Sequence, residues 1–291
     1  MKHHKIAAAI MAFAFSGSLM AQTIVTVNGT KIDSSEIERR AHNVVAQSQG
    51  KTQDSPDLRR FLTQELVTET VITQEAKRLK LDQSKEYKNA ESDSLKEARA
   101  KGLDKHTNFK QDWADYQNQL LIMAYSGDVL KKNPVTDTQI EERYKQIQNR
   151  YQNSDEVQLG EIVTNKTEQA QAAIKELNNK KSFADVAKKY SIDPEIKSGK
   201  NLTLPFIALV DMAQDRPQIH QAVANLKKGE FTKTPLIGEQ IQVVYYVHDR
   251  RPIVIEPLEK LSQNIGAVLS NERIQSAIDA LLQKAKIEVT K

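Results

Sequence analysis

Few residues in this chain are equipped for covalent or acid–base chemistry, and those few are poorly grouped. Cysteine is absent, which removes thiol nucleophiles, disulfides and Cys-type zinc sites together. His42, His106, His220 and His248 fall in separate stretches, with no His-x-x-x-His or comparable ligand spacing, so no metal is expected. Ser182, Ser191 and Ser198 occur without a Gly-x-Ser-x-Gly elbow, and Ser182 reads as a helix cap. Gly199-Lys200 and Gly229-Glu230 lack the Gly-x-x-x-x-Gly-Lys run that cradles phosphate, and read as turns. No cofactor is implied.

The elements that carry these residues are mostly helical. A basic head, Met1-Lys2-His3-His4-Lys5, precedes the apolar run Ile6 to Phe15, small residues and a cut expected near Ala21. That is the layout of a cleaved signal peptide over 1–21, since the run is well short of the ~20 residues a spanning helix needs. The mature chain is then expected outside the cytoplasm, in the periplasm. Loss of Lys2 and Lys5 takes the formal charge from +4 to +2, so the basic balance does not imply nucleic acid.

Two β-prone runs around Asn28-Gly29 predict a hairpin, and Ser55-Pro56 predicts the cap and first turn of a long helix. Along that helix Leu58, Phe61, Leu62, Leu66, Ile72, Ala76 and Leu79 fall at helical spacing. Helical composition continues to Asn133-Pro134, with Trp113, Tyr116, Leu120 and Met123 as an apolar stripe that reads as core before it reads as a client groove. Thr136-x-x-Gln139 opens the next helix. Near residue 157 the texture becomes a compact alternation of strand, two helices, a loop through Pro194, Gly199 and Pro205, a short helix after Pro217, and a β-rich run Ile241 to Val247. From Pro257 one long amphipathic helix follows. A terminal helix of that length needs more surface than so small a domain offers, so it is expected to pack back on the N-terminal helices. The fold class is α+β, and the expected division is 22–153 helical, 154–252 inserted and compact, and 253–291 returning.

The middle block resembles a parvulin domain of the PpiC type. The resemblance rests on Leu159-Gly160-Glu161-Ile162-Val163, the helix Ser182-Phe183-Ala184-Asp185-Val186-Ala187-Lys188-Lys189-Tyr190-Ser191, Asp193-Pro194, Leu226-Lys227-Lys228-Gly229-Glu230 and Val247-His248-Asp249-Arg250-Arg251. The flanks look like the SurA and PrsA chaperones, through Val27-Asn28-Gly29, Val135-Thr136-Asp137 and Lys284-Ala285-Lys286-Ile287-Glu288-Val289. Such a family implies a domain that speeds cis/trans exchange of Xaa-Pro bonds, carried by a chain that shelters unfolded polypeptides. The implied partners are non-native clients presenting Xaa-Pro and apolar segments. Membrane is implied only through outer-membrane clients.

The departures from the family pattern concern the site itself. A histidine of the family stands where this chain has Glu161, and a second where it has Val243. The usual pocket phenylalanine falls at Ile219, Met212 stands as the pocket methionine, and Asp193 matches the acidic or thiol position. The resemblance thus implies Asp193 and Glu161 as catalytic candidates and Met212, Ile219, Leu226 and Val243 as the wall facing the substrate. Losing both histidines removes paired hydrogen-bonding groups, so weak or absent isomerase activity is expected. Two readings stand: a holding chaperone with a non-catalytic peptide cradle, and a working prolyl isomerase with an altered site.

Overall fold

A computed structural model describes residues 22–290; the expected signal peptide lies outside them. The chain divides into two compact units, one made of the described residues up to Thr136 with those from Gly266 onward, the other Asp137–Ile265. The architecture is α+β, mainly helical, with a small sheet in each unit.

The first unit begins with strands β1 (Thr23–Val27) and β2 (Thr30–Asp33). Asn28 and Gly29 both take positive φ, 51° and 85°, as a two-residue turn matched to strand twist requires. Helices α1 (Ser34–Gln47), α2 (Pro56–Arg78), α3 (Lys85–Ala100) and α4 (Phe109–Lys132) follow. The hydroxyl of Ser55 accepts from Leu58 N at 3.2 Å and Pro56 fills the first turn, which satisfies one orphan donor and removes another. α2 buries Leu62, Leu66, Val67, Val71, Ile72 and Ala76. Phe61, read from its spacing as part of that stripe, is instead 61% exposed; it sits one residue, about 100°, off the line through Leu62 and Leu66.

Two ends of the sequence meet in this unit. Strand β7 (Ile287–Val289) pairs with β1, Val25 opposite Val289, and Asn28 and Lys286 exchange two 2.8 Å hydrogen bonds. The long helix α11 (Leu258–Lys284) contributes Leu281 and Leu282 to the core of Val25, Val27, Ile37, Leu62 and Val67, and Ala277 and Ile278 to a second cluster around Ile72, Tyr87, Leu120 and Tyr125. Arg40 grips Glu69 through two bonds of 3.0 and 2.6 Å and also reaches Glu36, while Arg39 joins Glu36 to Asp115. Burial alone would raise the Glu36 carboxyl, but hydrogen bonds from Arg39 and Arg40 outweigh it and hold the group below its ordinary value.

The second unit opens with α5 (Asp137–Tyr151) and is built on the sheet β4-β3-β6-β5, antiparallel throughout. Its strands are β3 (Asp155–Thr164), β4 (Phe206–Ala208), β5 (Leu236–Ile237) and β6 (Gln242–Pro252). Side chains alternate between two faces. On one, Ile162 and Val244 pack with Ala170, Ala173, Ile174 and Leu177 of α6 (Thr167–Asn178) and Phe183, Val186 and Ala187 of α7 (Phe183–Tyr190). On the other, Val157, Leu159, Val243, Tyr245 and Val247 pack with Leu209 and Met212 of α9 (Leu209–Asp215) and Val223 of α10 (Pro217–Val223).

The stretch read as a loop from Pro194 to Pro217 holds more order than expected. It contains the short helix α8 (Pro194–Ser198), strand β4 paired to β3, and α9. Elements of three to seven residues are shorter than the windows over which periodicity can be read. Helix α6 starts at Thr167 with Lys166 at its N-cap and no side-chain cap bond.

Candidate functional site

Glu161 projects from β3 on the face shared with Leu159 and Val163, directly across the ladder from Tyr245 of β6. A bulge between Gln158 and Leu159 sets that register. Tyr245 is pinned in turn by Thr232, which accepts from Tyr245 N through its hydroxyl at 3.1 Å and donates its own N–H to Tyr245 O at 2.9 Å.

Asp193 is brought beside Glu161 by a backbone splice. Ile192 N donates to Val163 O at 2.7 Å, and the buried Ser191 hydroxyl accepts from both Val163 N and Asp193 N at 3.3 Å. The segment leaving α7 is thereby tied to β3, so Asp193 arrives next to the strand. Its Oδ1 then accepts from Glu195 N at 2.8 Å and Ile196 N at 3.3 Å, capping α8 with Pro194 in the first turn. Gly199, at φ 82°, closes the helix, and Leu204 N bonds back to Leu159 O at 2.7 Å.

These ties enclose a cavity of about 280 Å³ lined by Glu161, Asp193, Ile196, Asn201, Thr203, Leu204 and Pro205. Two carboxylates therefore share one half-open pocket. Burial pushes the Glu161 carboxyl up; hydrogen bonding with Tyr245 and the charge of Arg216 pull it back, and the charge of Asp193 adds to the rise. The Tyr245 phenol is pushed up to about 12, first by burial and then by the charge of Glu161. The pair can offer a substrate amide hydrogen-bond acceptors, and a donor whenever Glu161 holds its proton.

Met212, Ile219, Leu226 and Val243 gather on the same face of the sheet. Met212, 1% exposed, and Val243, 9% exposed, are buried in the cluster, and Ile219 and Leu226 pack on its edge. None of the four lines the carboxylate cavity; Leu204 belongs both to the cavity lining and to the residues packed on that cluster. Tyr245, Arg216, Asn201 and Thr203 were not picked out from sequence. Tyr245 had a signal, two residues beyond Val243 in a strand whose alternate residues face one way.

His248 stands on the opposite face. Its ring lies edge-on to Phe183 at 4.7 Å and 5.0 Å from Tyr246, and its Nε2 donates to Leu202 O at 3.0 Å, the carbonyl being able only to accept. Burial lowers its pKa. It is a packing and tethering residue.

With this geometry in place the similarities to known proteins are informative. Residues 135–263 match the PPIC-type PPIASE domain, and residues 4–113 match the SurA-like N-terminal domain. These two matches define a two-part protein in which a SurA-like segment is joined to a parvulin-type domain. A probable parvulin-type peptidyl-prolyl cis-trans isomerase of Bordetella pertussis is 27% identical over 269 residues, covering 92% of this chain and 93% of that protein. The foldase protein PrsA of Clostridium botulinum is 24% identical over 290 residues, covering 91% and 85%. One of two solved SurA-like chaperones of Campylobacter jejuni aligns at a TM-score of 0.36 and 21% identity, over 92% of this chain and 100% of that one. Over most of its length the chain is thus similar to parvulin-type isomerases and PrsA foldases, and it carries a PPIC-type PPIASE match and a SurA-like N-terminal match.

Proposed function

We propose that this protein is a periplasmic folding factor that binds non-native polypeptides, exported through a signal peptide cut near Ala21, and that its parvulin-like part, expected over 154–252, grips Xaa-Pro and apolar segments with weak or lost isomerase activity. The observation that carries this reading is that the cavity lining holds two carboxylates, Glu161 and Asp193, and no imidazole. Glu161 and Val243 stand where the family has histidines, and Asp193 spends one carboxylate oxygen capping α8.

Amide rotation faces a barrier of about 18–20 kcal/mol, and a catalyst lowers it by favouring the twisted amide over the planar one. That requires a dry pocket for the proline ring and hydrogen bonds placed on an amide that has lost resonance. Here the polar lining is Glu161, Asp193, Asn201 and Thr203, with no imidazole among them, while Met212, Ile219, Leu226 and Val243 gather on the same face of the sheet outside the cavity. Carboxylates that are ionised only accept. Peptide binding survives such a loss better than rate enhancement does.

A second reading, an active isomerase with an altered site, draws support from the raised Glu161 carboxyl, which keeps a proton donor in the pocket to higher pH than an ordinary glutamate. The two are separated by measuring client protection and proline exchange on the same full-length mature protein. Suppression of aggregation of a chemically unfolded client near equimolar ratio, with an Xaa-Pro peptide bound but not accelerated, is the expected result. Failure to suppress aggregation removes the chaperone reading.

A further inference from the structure

The helical unit holds another cavity, of about 360 Å³, between α3 and α4. Its floor is a line of three rings on α4: Phe109 stacks on Trp113 with centroids 5.9 Å apart, and Trp113 meets Tyr116 at 5.2 Å. Of the stripe read from sequence as core, only Leu120 is buried; Tyr116 and Met123 are exposed and Trp113 is half-buried. Leu103, 41% exposed, and Ala98 complete the apolar lining. Contiguous aromatic surface left in contact with water marks an interaction site more often than a packing remnant.

The charges at the cleft point to the occupant. Glu97 and Lys101 neutralise one another at 2.6 Å across one turn of α3, and His106 is the other basic group on the lining. Asp112, between Phe109 and Trp113 on α4, has no ion pair and no side-chain hydrogen bond among the described residues. An aromatic floor beside an unpaired carboxylate is complementary to an apolar side chain adjacent to a cation, because the cation can pair with the carboxylate and lie over a ring face.

We propose that this cleft receives an apolar side chain of an extended, non-native segment together with a neighbouring Lys or Arg, so that clients are engaged at apolar–basic steps. The inference rests on the reading of the chain as a binder of non-native polypeptide. It names the sequence class that the helical unit selects.

Trp113 is the only tryptophan in the chain, so intrinsic fluorescence reports on this cleft. The full mature protein is titrated with two short Gly/Ser peptides carrying Leu-Phe at the centre, one followed by Arg and the other by Glu. The Arg peptide is expected to shift Trp113 emission saturably and to bind at least about threefold tighter, a gap that narrows as salt is raised. Asp112→Asn, at an exposed position, is expected to cut that preference about two- to fivefold without changing helicity. Ala98→Arg, which places a cation in the cleft from α3, is expected to abolish the response. Emission that is indifferent to both peptides, a preference that survives Asp112→Asn, or a shift that follows protein concentration alone, as when a second copy fills the cleft, overturns the proposal. Aggregation suppression on the same samples keeps the two claims apart: protection with a silent Trp113 sinks the cleft alone, and no protection sinks the chaperone reading itself.

Discussion

A methyl group added at Gly160 has nowhere to go: a Cβ there lies 2.5 Å from His248 Nε2 and 2.6 Å from the Phe183 ring. Gly160→Ala should therefore cost about 1–3 kcal/mol, the usual range for overpacking, seen as a lower midpoint in chemical denaturation. A variant as stable as the parent contradicts that packing. Glu161 allows a signed pH test. Its carboxyl is raised above the ordinary 4.5, chiefly by burial, so its contribution to stability is intact below that value and is lost as pH rises through the folded one. Glu161→Gln should then melt higher than the parent at pH 7 and match it near pH 4; a lower melting point at pH 7 excludes the buried, reluctant carboxylate. Glu161 and Asp193 were legible only because the family pattern marks their places. Tyr245 was marked only by its alternation with Val243, and Arg216 by nothing, since the partner of Glu161 depends on a bulge that leaves no mark in composition.

Short elements decide the shape of the cavity, and they are the ones that sequence hides. The long helices are written plainly, α2 by Ser55-Pro56 and its stripe, whereas α8, β4 and α9 become visible only once β3 offers them an edge and a face. α8 exists because Asp193 caps it. Replacing Asp193 by Ala should destabilise the second unit by about 1 kcal/mol and loosen the 201–205 segment. Asn, which keeps a capping oxygen, should leave both nearly unchanged. Amide exchange of Glu195 and Ile196 reads this directly. Equal effects of Ala and Asn would mean that the charge of Asp193, and not its cap, is what the pocket needs. The same logic governs α4, where one stripe read from spacing splits into a buried Leu120 and exposed rings, because its neighbours cover only part of that face.

At the scale of the molecule, the second unit interrupts the first in sequence, and the first is closed by the final strand. Ending the chain after Ala285 deletes β7 and the half-buried Ile287 and Val289. The loss should be about 2–4 kcal/mol by the cost of removing buried aliphatic groups, borne by the first unit. Trp113 fluorescence should report an earlier transition, while amides of β3 and β6 keep their protection; loss of protection in both units would show them to unfold together. The central claim, a parvulin fold kept for grip, is tested most directly by NMR exchange spectroscopy on a short Xaa-Pro peptide with and without the full mature protein. Shifts of the peptide and of resonances around Glu161 and Asp193 are expected, with cis/trans exchange remaining in the uncatalysed range of tens to hundreds of seconds. Clear acceleration that Glu161→Gln abolishes would contradict that claim and make the protein a working isomerase.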